Sequence, residues 1–351
     1  MNKKRIINIG YGRTTLRDMY DKGDMSSRLF YGLIELEDKY DVRQVSFNSR
    51  SGLWYRMHNN LLMLRKADAI YMTYLYEQPL FLYALLKKLG LIRKRKLIVV
   101  SHKHLKTGSS WWQNQIYRMV YHSIDMVFFH SQRNLDESVG SGMTIREKAQ
   151  FLYWGDDLAY VDRTYHPKQG DFFISTGREN RDFNTLLNAF AQTDAKLELY
   201  TNRVNYENNY EDLEQWQDQF NNISIEFTDK TNNTTLRLAK RTAEARCVVI
   251  PLMKQQVNYC VGLTSIVEAM ALGKPIITSP NPYSPVDVQK EGIGFVANTI
   301  EEWISAIRYL QTHPDEAVAM GRRARLLAEQ HYNIKATTQQ LDNALTQLLM
   351  T

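Results

Sequence analysis

Short, nearly continuous apolar runs alternate along this chain with longer amphipathic stretches. Arg5-Ile9, Val42-Phe47, Ala69-Thr73, Leu97-Ser101 and Met126-Phe129 predict a first series of strands. Between them, Leu29, Leu33 and Leu36 share one side of a helix that Ser26 or Ser27 would cap. A basic amphipathic helix is expected around Leu61-Lys66, and further helices over Leu80-Leu89 (stopped by Gly90) and Trp111-His122. Between about Asp157 and Asp171 the pattern lapses into polar sequence holding Pro167 and Gly170, which predicts a domain boundary. A second series follows: strands at Phe172-Thr176, Leu197-Tyr200, Ile223-Phe227 and Val248-Leu252, with helices over Phe183-Ala191 and near Leu236-Glu244. Trp303-Leu310, Val318-Gln330 and Thr337-Met350 predict C-terminal helices. Strand–helix alternation of this kind predicts doubly wound α/β sheets. The divisions expected are 1–160, 171–330 and a last helix over 331–351.

Composition adds two constraints. The 351 residues carry a formal charge of +6, split as +10 over residues 1–160 and −4 over the remainder. A basic half invites phosphates, nucleic acid or an anionic membrane. No helix-turn-helix, RNP or zinc motif accompanies it, so nucleic acid is not the expected partner. The apolar window Ala67-Leu86 is interrupted by Glu77, Gln78 and Pro79 and does not predict a transmembrane helix. The N-terminal apolar run is too short for a signal peptide, and two cysteines, Cys247 and Cys260, fit a reducing compartment. A cytoplasmic protein is expected, soluble or peripheral on a membrane face.

The densest chemistry lies in Cys260-Ser279, which predicts loop, helix, stop and strand. Ser265 and Glu268 fit a capping box, and Gly273-Lys274-Pro275 ends the helix. A helix opening on Gly262-Leu263-Thr264-Ser265 is an anion site, because its free N–H groups and dipole favour a phosphate. Gly177-Arg178-Glu179-Asn180-Arg181-Asp182 also follows a strand and precedes a helix. Its guanidinium groups suit phosphate oxygens, or else are two surface arginines beside an Asp182 cap. Lys254 follows a strand on the same side and meets either phosphate or solvent. His102 and His104 share a face, but no cysteine or carboxylate completes a zinc site, and no metal is expected.

Glu268 and the run Glu-Ala-Met-Ala-x-Gly-Lys-Pro resemble the donor-site signature of GT-B glycosyltransferases, especially the retaining family 4 (group 1) type with its Glu-x7-Glu motif. Cys260 stands at the first Glu position, a departure. Gly177-Arg178 is similar to the family's Gly-Arg segment, with Arg181 where a Lys would follow a few residues on. Leu152-Tyr153-Trp154-Gly155-Asp156-Asp157 resembles its linker.

The resemblance implies a GT-B fold: two Rossmann-like doubly wound domains facing across a cleft, with C-terminal helices. It implies an enzyme, hexosyltransferase-like, moving a sugar from a nucleotide diphosphate sugar to an acceptor hydroxyl with retention, in cell-surface polysaccharide or glycolipid assembly. Arg178, Arg181 and His102 would be catalytic. Glu268 would hold the ribose, and Thr264, Ser265, Leu263, Gly262, Gly177 and Lys254 would complete donor binding. The loop of Gly10, Gly12 and Arg13 would face a sugar, lipid-linked or polysaccharide acceptor. No cofactor is implied, since residues and a helix dipole neutralise the diphosphate. A non-catalytic sugar-nucleotide-binding subunit and a GT-B epimerase share these expectations. The charge split, Arg93-Lys94-Arg95-Lys96 and Trp54-Tyr55 among arginines suggest an anionic membrane surface as a further partner.

Overall fold

The computed structural model describes residues 3–203, 213–228, 232–254 and 259–350. They form two compact units, Met1–Gly155 with Ile334–Thr351, and Asp156–Asn333. The helix set apart in sequence at 331–351 therefore belongs with the first unit.

The first unit holds strands β1 (Arg5–Tyr11), β2 (Asp41–Phe47), β3 (Ala69–Met72), β4 (Lys96–Ser101), β5 (Met126–Phe129) and β6 (Ala149–Phe151). All pairings are parallel, in the order β2-β1-β3-β4-β5-β6. Its helices are α1 (Arg13–Asp21), α2 (Leu53–Leu62), α3 (Glu77–Lys88), α4 (Trp111–His122) and α5 (Gln132–Gly140). The second unit begins with α6 (Leu158–Thr164). Its strands are β7 (Phe172–Ser175), β8 (Lys196–Thr201), β9 (Ile223–Phe227), β10 (Cys247–Ile250), β11 (Ile276–Thr278) and β12 (Gly294–Val296), in the order β9-β8-β7-β10-β11-β12. Helices α7 (Phe183–Phe190), α8 (Glu214–Gln219), α9 (Asn232–Glu244), α10 (Leu263–Ala271), α11 (Ile300–Thr312) and α12 (Pro314–Gln330) complete it, and α13 (Ile334–Met350) returns to the first unit.

Counted from β7, the second sheet has the 3-2-1-4-5-6 order of dinucleotide-binding folds, whereas the first has the flavodoxin-like reversal between β1 and β3. Both architectures agree with the doubly wound expectation. Continuous apolar strands are explained by burial on both faces: Ile6, Ile7 and Ile9 of β1, and Leu97 to Val100 of β4, are all buried.

Three expectations are corrected. Residues 27–36 form two short 3-10 turns, Ser27–Phe30 and Ile34–Leu36, because Tyr31 and Gly32 between them take left-handed φ of 53° and 83°. A Cβ on Gly32 would stand 2.8 Å from the backbone of Thr338, so glycine allows α13 to lie against this turn. The amphipathic helix placed around Leu61-Lys66 is instead α2, ending at Leu62. The polar segment after Asp157 contains α6, capped by Asp157, whose side chain accepts from Tyr160 N at 3.0 Å. Its Tyr160 and Val161 are buried with Ala239, Ala243 and Leu272.

Candidate active site

In open α/β sheets, ligands bind at the carboxyl ends of strands where the order reverses. In the second unit that point lies between β7 and β10. The chain leaving β7 is fastened to the chain leaving β10. Asp182 N donates to Pro251 O at 3.1 Å, and Met253 N to Asn180 O at 3.1 Å. Asn180 adopts φ 52°, a conformation its short polar side chain tolerates, and donates Nδ2 to Tyr259 Oη at 2.7 Å. Asp182 caps α7, accepting from Thr185 N at 3.1 Å and Thr185 Oγ1 at 2.6 Å. The loop is thereby a rigid bracket holding two arginines in different surroundings. Arg181 is buried; its guanidinium lies where a side chain on Gly177 would stand and donates to Glu179 O at 2.6 Å. Arg178 is half-exposed and reaches Thr228 Oγ1, at the end of β9, at 3.4 Å.

α10 begins earlier than the sequence predicts. Gly262, at φ 85°, is the N-cap, and Ile266 N donates to Gly262 O at 3.0 Å. Ser265 is therefore the third helical residue, and the Ser265–Glu268 capping box does not form. The reason is steric: a Cβ at 262 would press on Ile250 and Leu252 at 3.2 and 3.3 Å, so glycine lets the helix start against β10. Glu268 sits half-buried between buried Val267 and Ala269. It cannot be explained as a cap. Thr264 and Lys254 are exposed, Leu263 is buried, and Ser265 is half-buried.

Gly273, at φ 63°, ends α10 as predicted: Gly273 N bonds Met270 O at 3.1 Å and Lys274 N bonds Ala269 O at 2.8 Å. Lys274 is structural. Its ammonium is buried, donates to Lys168 O and, at 2.7 Å, to Ala245 O, and burial pushes its pKa down to about 8. Cys260, at the position of the resembling motif's first Glu, is a buried thiol whose pKa desolvation raises to about 12. It supplies no charge. Beside the first turn of α10 a cavity of about 740 Å³ is lined by Val261, Ile266, Ser279, Asn281 and Asp287 among others. It borders the arginine loop without including it.

In the first unit, Gly10 is the last residue but one of β1, Gly12 (φ 67°) is the N-cap of α1, and Arg13 is buried at its first position. His102 follows β4, and its Nε2 lies 3.0 Å from Tyr31 Oη. His130, which sequence reasoning passed over, follows β5 in the same way. The signal is in the sequence, since a His directly follows the last residue of each strand, Ser101 of β4 and Phe129 of β5. Its Nδ1 lies 2.8 Å from Leu152 O, and its ring lies 5.4 Å from that of His102. Tyr31 stacks on His130 at 5.5 Å and on Trp154 at 5.9 Å, and those two rings lie 6.1 Å apart, so the three form one cluster. Desolvation lowers the pKa of His102 to about 3 and of His130 to about 4, so both imidazoles are neutral at pH 7.

The same unit exposes apolar side chains at helical spacing. They are Leu53, Trp54 (79% exposed), Met57 and Leu61 on α2; Phe81, Leu85 and the following Leu89 on α3; and Trp111, Trp112 and Ile116 on α4. α3 packs against both α2 and α4. The 93–96 run is not four free charges, because Arg95 donates to Met63 O at 3.0 Å and Lys96 opens β4. Among the described residues no helix is long and apolar enough to cross a membrane, and no group of three or more His, Cys, Asp or Glu is placed to hold a metal ion.

Residues 168–313 match the family model described as Glycosyl transferases group 1. No curated protein matches the chain. Among solved structures, it is similar to Anabaena HepE in complex with UDP-glucose, at 15% identity and TM-score 0.68, covering 98% of this chain and 100% of that one. It is also similar to a glycosyltransferase from Rickettsia africae, at 14% identity and TM-score 0.68, covering 99% of each chain. WaaG, a glycosyltransferase involved in lipopolysaccharide biosynthesis, gives 11% identity and TM-score 0.60, covering 96% of this chain and 99% of that one. The match of residues 168–313 places a group 1 glycosyltransferase domain across the switch-point loops and α10 of the second unit, and the two parallel sheets shared over nearly the full length of these structures give the chain the GT-B fold.

Proposed function

We propose that the protein transfers a sugar from a nucleotide diphosphate sugar to an acceptor hydroxyl with retention, in the assembly of a cell-surface polysaccharide or glycolipid. The observation that carries this reading is the bracket at the β7–β10 reversal. It presents Arg178, half-exposed, on the same end of the sheet as the first turn of α10. A guanidinium and a helix N-terminus are two preorganised positive ends, suited to the charge that grows on a departing diphosphate. Arg181 shapes the loop by covering Gly177. Glu268, with no capping task, holds the ribose hydroxyls. His102, neutral, orients the sugar as a hydrogen-bonding imidazole rather than as a cation. The acceptor binds at the first unit's loop of Gly10, Gly12 and Arg13. No metal takes part.

HepE was crystallised with UDP-glucose, which makes that donor the first to try. Calorimetric titration with UDP-, GDP-, ADP- and TDP-sugars tests the donor; a chain that binds none of them does not act as proposed. An epimerase reading is separated by product analysis, since a putative UDP-N-acetylglucosamine 2-epimerase from Listeria monocytogenes shares the fold at TM-score 0.60. Nucleotide release that needs an acceptor supports transfer, and donor isomerisation without one overturns it.

The exposed stripes on α2, α3 and α4, with Arg50, Arg56, Arg93 and Lys94 nearby in sequence, support docking of the first unit on an anionic membrane carrying the acceptor. Apolar side chains provide shallow insertion, and each nearby cation adds about 1 kcal/mol at low salt. Vesicles containing anionic lipid should sediment the protein, less so at high salt and for Trp54→Ser with Trp112→Ser. Protein left in the supernatant at low salt would mean a soluble acceptor.

A further inference from the structure

Arg13 lies beside the reversal between β1 and β3, on the side the proposed function gives to the acceptor. Only 9% of the residue is exposed. Its Nη1 donates to Leu29 O at 2.9 Å, and its Nε is buried with no partner among the described residues. The groups acting on its charge are the phenols of Tyr31, Tyr71 and Tyr76; no carboxylate is among them, and burial holds its pKa below the usual value. A guanidinium remains charged there. Buried charges are ordinarily paired, and this one is answered only by neutral groups.

The surroundings are open on the side such a partner would use. Arg13 begins α1, a nine-residue helix with no acidic residue in its first turn and a glycine N-cap that has no side chain to cap it. A Cβ on Gly12 would meet nothing within 4 Å, and one on Gly10 would stand 3.3 Å from Arg13 Nε. Two glycines thus leave space beside the guanidinium at the start of α1, where Thr14 N donates to Ser46 Oγ at 2.9 Å and Arg13 Nε is left without a partner among the described residues. The half-exposed ring of Tyr11 meets Tyr76 edge-on at 5.1 Å, and Tyr74 lies 5.1 Å beyond. These rings offer an apolar wall for the C–H face of a sugar.

We propose that the acceptor carries an oxyanion, a carboxylate or a phosphate monoester, and that Arg13 is the residue that selects it. This deepens the functional reading, on which the word acceptor rests. The test uses the full chain with UDP at saturation, so that a phosphate cannot report from the donor site. Glucose, glucuronate and glucose 6-phosphate are titrated by ligand-observed NMR against the parent, Arg13→Lys and Arg13→Met. At least one charged sugar should bind tenfold or more tightly than glucose. The preference should disappear in Arg13→Met, persist in part in Arg13→Lys, and shrink with added salt. Affinity for glucose 6-phosphate that rises from pH 5.5 to 7.5, as its second proton leaves, assigns a phosphate; a preference confined to glucuronate assigns a carboxylate. Circular dichroism controls for folding. If Arg13→Met does not fold, the parent's preference and its retention in Arg13→Lys decide. Equal binding of all three sugars by the parent overturns the proposal. So does a folded Arg13→Met that keeps the preference, which would make Arg13 a prop for Leu29 O alone. If UDP does not bind, the donor reading fails while the charged-sugar preference, measured without it, still stands or falls separately.

Discussion

The two units place chemistry at the same topological position but build it differently. In the second, the candidate groups come from two short contiguous stretches, 177–182 and 260–268, and are positioned by backbone hydrogen bonds and a helix start. In the first, they come from Arg13, held by Leu29 O, and from Tyr31, Tyr74, His102, His130 and Trp154, which are positioned by ring packing. A backbone-built anion site depends on few side chains and tolerates change around it. A ring-built site couples each member to the next, so it is sensitive to burial.

The largest expected effect tests the backbone-built side. Arg178→Ala should lower kcat by on the order of 100-fold with a smaller change in donor affinity, because it removes a donor whose partner gains charge toward the transition state. Turnover at saturating donor equal to the parent's would remove Arg178 from the chemistry. Glu268→Ala should follow, weakening UDP-sugar binding by about tenfold while leaving Tm unchanged, since no cap is lost. A lowered Tm with intact affinity would reverse that assignment.

Gly32→Ala tests whether the units are energetically separate. The positive φ and the 2.8 Å approach to Thr338 should together cost about 2–4 kcal/mol. Hydrogen exchange should show the loss in the first unit only; matching loss around α10 would mean the two melt together.

The mildest effect is on pH. Both histidines have folded pKa values below the unfolded value near 6.5, so the unfolded state binds more protons as pH falls from there toward about 4. Stability is full above pH 6.5 and declines below it, by on the order of 5 °C in Tm between pH 7 and 5. His130→Gln should flatten that slope. A slope unchanged in His130→Gln would place the proton uptake elsewhere.

This contrast also explains what was legible. β5 lies at its expected residues because an apolar run is a strand where a sheet is buried on both faces, and β9 because buried Ile223 and Ile225 alternate with exposed Ser224 and Glu226; α4 also lies where expected. The Gly-Arg loop and α10 were visible because a few adjacent residues determine them. The Ser265 cap failed because Gly262's fit against Ile250 and Leu252 is a tertiary contact that local spacing does not carry. The helix expected over 27–36 failed for the same reason, through Thr338. Tyr31 and Trp154 are more than a hundred residues apart, and nothing local links them. A preference for neutral rings around His102 is a property of the assembled unit.

The return of α13 sets an order of events during synthesis. Thr337 Oγ1 donates to Tyr153 O at 2.9 Å, Gln340 Oε1 accepts from Tyr153 N at 2.9 Å, and Asp342 pairs with Lys39 at 2.7 Å. The first unit's core is built from residues made early, but its contacts with residues 334–350 can form only after residues 156–333 have been synthesised. Until then the turn at Gly32 lacks the Thr338 backbone that seats it.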